Sequence, residues 1–453
     1  MTKNSRLKEI SRINKIAVPI LITFITSLFF NIGDQAIIGR TSLNGYAAVS
    51  VVANLLYAIT GTLGIISLSL NIVGSKLIGE DDHEGYGNLF GTSLALAIII
   101  GVSFEILCLV FGKGILRYGF NLNGEVLVFA YQYLAIAGVG LLLNTFLFIY
   151  SSYFKTIEKT SILFVVSIIG NCINLTLDYV LVFGKFGFPK LGVTGAAIGT
   201  IIGLLCEVLI YIYFAKKNIT FKYAIRIKFA YLKKILKSYI PLVGQDFIES
   251  TAFIIVITAL LASIGTLAIG AYNLVYTILQ IVILPIYAYG TAVITVIAKT
   301  QRKEDIQFRR RVPVLTIMML IGILSLFAAI VMINSRMICS IITNNKSLLD
   351  AASRLLLLGL IIQLPNIVNQ VYKYSLNAVG DEKWVFYCHS IISTSSLAVI
   401  YYFSILFEDR INGIFYGLGL NYALLGIAFY LRYQYLLKLG SGKEIIIIGT
   451  EEN

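Results

Sequence analysis

The chain has 453 residues, of which 58% are hydrophobic and only 13% charged, with a mean hydropathy of +0.86. A water-soluble chain of this length needs far more polar surface, so a soluble globular domain is excluded. The net charge of +13 is read as the basic marking of cytoplasmic helix ends, with no nucleic-acid partner.

The first 15 residues, MTKNSRLKEISRINK, are basic and polar and contain no apolar core of a signal peptide. The first span is therefore expected to stay in the membrane. From there, runs about the length of a bilayer helix recur along the chain. They predict twelve spans, at 15–38, 46–74, 86–111, 125–150, 160–183, 192–214, 237–263, 266–298, 312–333, 350–379, 384–407 and 411–437. Backbone in lipid must satisfy its own hydrogen bonds, so each span is read as a helix. The short alternating segments of a β-barrel are not visible.

The pattern doubles. "VANLLY" at 52–57 returns as "AYNLVY" at 271–276, "VPIL" at 18–21 as "IPLV" at 240–243, and "GVTG" at 192–195 loosely as "GIFYG" at 413–417. The offsets of 219, 222 and 221 residues agree closely enough to imply two halves of six helices. Six is even, so the halves run in the same direction. The expected fold is an all-α membrane protein of twelve transmembrane helices in two six-helix lobes related by a parallel repeat. Residues 1–214 form the first lobe, 215–236 a basic cytoplasmic linker, and 237–453 the second lobe with a short cytoplasmic tail. Of the 36 basic residues, 27 fall on the side of the termini and that linker. The positive-inside rule then puts both termini in the cytoplasm.

The five cysteines, Cys108, Cys172, Cys206, Cys339 and Cys388, are odd in number and lack a CxxC pair. They are read as small buried hydrophobes, with no disulfide or metal framework. With only His83 and His389, no histidine-rich metal site is expected.

The informative residues are polar groups inside the spans. In "FFNIGDQAIIG" at 29–39, Asp34 lies near the outer end of the first span. One Asp at a helix centre costs about 2.5–3.5 kcal/mol on insertion scales, so it needs a partner. In the fifth span, "SIIGNCINLTLDYVLVFG", Asn171, Asn174 and Asp178 share one helix face. Asp178 lies roughly 8 Å from the outer end at the helical rise, with Asn174 a turn deeper. Thr200 of the sixth span stands at a comparable depth. Asp34, Asn174, Asp178 and Thr200 can thus meet. Such groups can simply hydrogen-bond helices together, but two carboxyls are an expensive way to do so. Close together in a low dielectric they repel, which favours taking up a proton. Their oxygens, with Asn and Thr, also suit a hard cation such as sodium, which Asp34, Asn174 and Asp178 would hold. Glu249, near mid-membrane in the seventh span, with Asp246 at i−3, is a second candidate; Glu105 and Glu207 are further buried acids. Tyr and Phe, 28 and 27 in number, supply aromatic surface for packing or for stacking on cationic substrates.

"NCINLTLDYVLVFGKFGFPKLGVTGAAIGT", "DQAIIGRTSLNGYAAVSVVANL", "IPLVGQDFIESTAF" and "SLNAVGDEKW" resemble the span 5–6, span 1–2, span 7 and span 10 patterns of the multidrug and toxic compound extrusion (MATE) transporters. The resemblance covers essentially the whole chain. It implies a twelve-helix antiporter in the plasma membrane that exports small amphipathic or cationic organic compounds against inward proton or sodium flow. It places the first-lobe cation site on Asp34, Asn174, Asp178 and Thr200, and an acidic position on Glu249. Where some members carry an Asp in span 10, this chain has Asn366 and Asn369, which weighs against a second-lobe cation site on Glu249. No cofactor is expected beyond the coupling ion, and a monomer suffices. A flippase of the wider superfamily, moving a lipid-linked saccharide or similar amphiphile, is the alternative; it favours a basic cavity, whereas the buried charges read here are acidic. A membrane enzyme needs a nucleophile, metal or cofactor constellation, and none is found.

Overall fold

A computed structural model describes residues 3–40, 42–300, 306–406 and 410–442. The short C-terminal tail from 443 onward and residues 301–305 of a basic loop lie outside the described residues. Fifteen helices follow in order: α1 Lys3–Ile38, α2 Leu43–Gly79, α3 His83–Gly114, α4 Gly124–Ala137, α5 Val139–Thr156, α6 Ser161–Phe183, α7 Val193–Asn218, α8 Phe229–Asp246, α9 Phe253–Ile264, α10 Thr266–Lys299, α11 Ile306–Ser340, α12 Lys346–Ile361, α13 Gln363–Ala378, α14 Glu382–Leu406 and α15 Arg410–Gly442. Among the described residues there is no strand.

Eleven of these segments are long and apolar enough to cross a membrane, and the bent pair α12–α13, turned by 42° at the break, makes twelve. This matches the twelve spans read from hydropathy. The tenth span is the bent one, and α4 with α5, like α8 with α9, forms one span in two pieces.

The helix ends follow local rules. Ser42, Asp82 and Asn345 accept from the backbone N–H three residues on, at 3.0, 2.7 and 3.2 Å, which satisfies one of the donors a helix start leaves free. Gly184 closes α6 with φ 67°, a left-handed position that costs glycine no steric penalty.

By its internal contacts the chain forms two units, Pro19–Tyr239 and Met1–Val18 with Ile240–Asn453. The divisions fall inside α1 and α8, beside Pro19 and close to Pro241, where each proline removes a helix hydrogen bond. In the unit that contains the N-terminal segment, Tyr289 donates to Asn14 at 2.8 Å and Arg311 pairs with Glu9 at 2.8 Å. There Arg432 also bonds Asp381 at 2.8 Å and lies 5.1 Å over the Trp384 ring, which fastens α15 to the "GDEKW" turn after α13. In the unit Pro19–Tyr239, the basic segment 219–228 lies on α3. Lys228 N donates to Thr92 Oγ1 at 3.3 Å, Thr92 donates to the Arg226 carbonyl at 3.4 Å, and a Cβ on Gly87 or Gly91 would collide with the carbonyls of Lys222 or Ala224.

The packing that positions the polar cluster is that of α6 on α7. Gly195, Gly199 and Gly203 recur every four residues, so they lie on one face of α7. A Cβ on Gly195 would come within 2.8 Å of the Leu181 backbone, and one on Gly203 within 2.8 Å of the Asn174 Cβ. One on Gly199 would overlap Asp178 Oδ1. Small residues at such spacing let helix backbones approach closely where lipid offers no hydrophobic drive.

Gly199→Ala is therefore expected to destabilise the purified protein by about 1–3 kcal/mol, the usual cost of overpacking. Gly61→Ala, where a Cβ meets nothing within 4 Å, should leave stability unchanged or raised. Thermal unfolding in detergent compares the two. Equal stability of both variants would contradict the packing.

Candidate functional site

Four residues named from the sequence come together in the unit Pro19–Tyr239. Asp178 is fully buried on α6. Asn174, one turn earlier, donates from Nδ2 to Asp178 Oδ2 at 3.0 Å and to Thr200 Oγ1 of α7 at 3.4 Å. The Thr200 hydroxyl itself donates to the Ala196 carbonyl at 3.0 Å, which leaves its lone pairs toward Asn174. Asp34 of α1 lies close enough to Asp178 for the two carboxyls to interact electrostatically. Helix α1 is brought there by the Ser27–Ser167 hydroxyl contact at 3.3 Å and by Gly33, on which a Cβ would lie 3.1 Å from the Leu175 side chain.

Asp34 Oδ1 and Asp178 Oδ1 are each shielded from solvent and have no hydrogen-bond donor. Buried oxygens without donors are rare in folded proteins. Here they mark a place that lacks a positive partner. The carboxyls, the Asn174 amide and the Thr200 hydroxyl offer the hard oxygen ligands or the proton acceptors that a small cation needs.

Tyr133 of α4, buried, was not singled out in the sequence. Its hydroxyl lies beside Thr200 and within electrostatic reach of both acids. Among so many tyrosines nothing in the spacing distinguishes it. Asn171 does not join the cluster. Its amide turns back to the Ser167 carbonyl at 2.7 Å and hydroxyl at 3.0 Å. Glu207 packs over Gly170 and Glu105 over Gly138, apart from this cluster.

In the other unit Glu249 and Asp246 both come within electrostatic reach of Tyr374, while Asn366 is engaged along α13. Glu249 lies in a π turn, Phe247–Ala252, between α8 and α9. That turn intervenes between Asp246 and Glu249, so the i−3 spacing of a regular helix no longer aligns them. Asp246 is exposed. Asn366 is buried and donates to Gln363 at 2.8 Å. The partners of Glu249 are Gln370 Nε2 at 2.5 Å and Lys373 Nζ at 2.6 Å, one turn or more further along α13. The sequence reading of the buried charges as acidic is corrected by Lys373, only 7% exposed. Its signal was the i, i+3 pair Gln370–Lys373 inside a span, which hydropathy averages away.

A bundle of membrane-spanning helices that buries carboxyls against neutral oxygen ligands has the character of a membrane transporter. The sequence matches the model of the MatE family over residues 19–180 and again over 241–403, and the chain belongs to this family, the multidrug and toxic compound extrusion transporters. The two matches begin 222 residues apart, which is the doubling seen in the sequence. The chain is similar to "Probable multidrug resistance protein NorM" of Thermotoga maritima, 24% identical over 63% of this chain and 62% of that protein, so that alignment spans under two thirds of the relative. It is similar to "Uncharacterized transporter YisQ" of Bacillus subtilis, 26% identical over 92% of each. Its fold is similar to that of "Crystal structure of MATE in the bent conformation", with a TM-score of 0.85, 16% identity, and coverage of 98% of this chain and 100% of that one.

Removing the Asn174 amide leaves Asp178 Oδ2 without that donor. Asn174→Ala should cost about 1–3 kcal/mol, the penalty for a buried polar atom left unsatisfied. Asn171→Ala, which removes only a bond within its own helix turn, should cost less. Equal losses in chemical denaturation of the two variants would contradict the geometry.

Proposed function

We propose that the protein is a multidrug exporter, an antiporter driven by a proton or sodium gradient. The substrates are small amphipathic or cationic organic compounds, and the coupling cation binds at Asp34, Asp178, Asn174 and Thr200. The observation that carries this reading is the facing of the two carboxyls, each with a buried oxygen that lacks a donor. The similarity to a protein named for multidrug resistance supports the substrate class. The proposal includes a plasma-membrane location with both termini cytoplasmic, from the distribution of basic residues, and function as a monomer.

Export against a gradient requires the cation and the substrate to favour different conformations, since a ligand that binds both equally shifts neither. With both acids charged, repulsion works to hold α1 and α6 apart. Two unit charges 4 Å apart in an effective dielectric near 20 repel by about 4 kcal/mol. Turning a two-state equilibrium from 1:99 to 99:1 takes about 5.5 kcal/mol. The repulsion is thus of the size needed for most of such a shift. An entering cation removes it, α1 closes on α6, and the drug loses its site. Pro19, which weakens α1 by one hydrogen bond, is the natural place for that helix to bend. No observation among the described residues favours the flippase reading, because the buried ammonium of Lys373 is already paired with Glu249.

Everted vesicles with sodium and pH gradients imposed separately test the coupling. Asp34→Asn and Asp178→Asn should each abolish gradient-driven efflux while the protein stays folded and inserted, because Asn fixes the uncharged state. Wild-type efflux by either variant would make the pair structural only. For orientation, a Lys222→Cys reporter in a chain without its five native cysteines should resist an impermeant thiol reagent on intact cells and react in everted vesicles. Labelling from outside would reverse the topology.

A further inference from the structure

Glu249 is held where the helix is interrupted. A π turn breaks the regular hydrogen-bond ladder and re-aims the side chains it carries. Along α13, Gln363, Asn366, Gln370, Lys373 and Asn377 are all buried and step by three or four residues, so they lie on one face. Two of them engage Glu249. Gln370 Nε2 donates to Oε1 at 2.5 Å and Lys373 Nζ to Oε2 at 2.6 Å. His389 Nε2, nearly fully buried, stands 3.9 Å from the same Oε2.

Three features make this a cation site rather than a structural clasp. A buried ammonium is tolerable only against a carboxylate, and the Lys373 head lies directly on one. About a quarter of the Glu249 side chain, 27%, remains accessible, so the residue is not fully enclosed. Gln370, whose amide donates to the Glu249 carboxylate, has its Oε1 buried with no donor. It adds an oxygen acceptor on the residue that holds the carboxylate, and an oxygen without a donor can accept from a cation's N–H. A merely structural contact needs none of this, since apolar residues of similar volume pack at least as well as a buried ion pair.

We propose that Lys373 is a tethered counter-ion that fills a monovalent-cation site on Glu249, so that the unit beginning at Ile240 takes no ion from solution. The site's own chemistry is that of the lysine head, a primary ammonium. Its consequence for transport rests on the reading given above: the Asp34–Asp178 pair alone loads the coupling ion.

Chemical replacement of the lysine head tests this on the purified full-length protein. Thermal unfolding is followed in detergent with propylammonium chloride or, at equal ionic strength, choline chloride. Propylammonium should raise the melting temperature of Lys373→Ala above its choline control in a saturable way. It should leave the wild type and Glu249→Gln/Lys373→Ala unmoved. A Lys373→Ala protein that folds only in propylammonium gives the same support. The proposal is overturned if Lys373→Ala, folded or not, ignores propylammonium, or if the wild type responds as strongly. A double variant that fails to fold also overturns it, because the pair is then part of the packing. Adding Asp34→Asn to Lys373→Ala should preserve the propylammonium response whatever happens to efflux. A failure of the transport reading is thereby separable from a failure here.

Discussion

Asp178 can sit fully buried on α6 because α7 meets that helix with three glycines, of which Gly199 faces Asp178. Any side chain at Gly199 would take the space that Asp178 Oδ1 occupies. The close approach brings Thr200 within reach of the Asn174 amide, and that amide in turn holds the second Asp178 oxygen. The cluster therefore depends on a packing contact made of hydrogen atoms. Helices in lipid associate through such close fits and through a few polar bonds. In this protein the same contact serves both purposes. Asp34 completes the arrangement from α1, and it brings the one ingredient that costs stability, a second carboxyl in a low dielectric.

Each unit buries an acid, and the two meet the cost differently. In the unit Pro19–Tyr239 the partner of Asp178 is another acid, with neutral amide and hydroxyl groups around it. The electrostatic balance there is left open, and the proposed coupling ion would close it. In the other unit Glu249 meets Lys373 and Gln370, and the balance is closed within the chain. The sequence repeat thus carries a shared scaffold with unlike chemistry in its two halves.

The scaffold was legible because bilayer helices announce themselves by length and apolarity, and each of the twelve predicted spans falls on an observed helix or run of helices, several of which extend well beyond it. The bend between α12 and α13 was not, since "LIIQLPN" reads as continuous apolar helix with a proline that helices often tolerate. Asn174, Asp178 and Thr200 were legible as a group because helical periodicity and depth in the membrane constrain residues on adjacent, sequential spans. Tyr133 was not, because its place depends on how α4 packs. Lys373 escaped for a different reason. A single charge near a span's end looks like an interfacial anchor, and only the partner across on the π turn shows that it is buried. The π turn that carries Glu249 was not legible, because hydropathy does not distinguish it from regular helix.

The central claim is that Asp34 and Asp178 act as one cation-binding unit rather than as two separate acids. Infrared difference spectroscopy of the purified protein measures this directly, by following carboxyl and carboxylate bands as sodium is added or pH is raised. The account predicts one ion-dependent signal that disappears entirely in Asp34→Asn and equally in Asp178→Asn, because neither carboxyl holds the ion alone. A signal that survives either substitution, or that is halved by each, would contradict it.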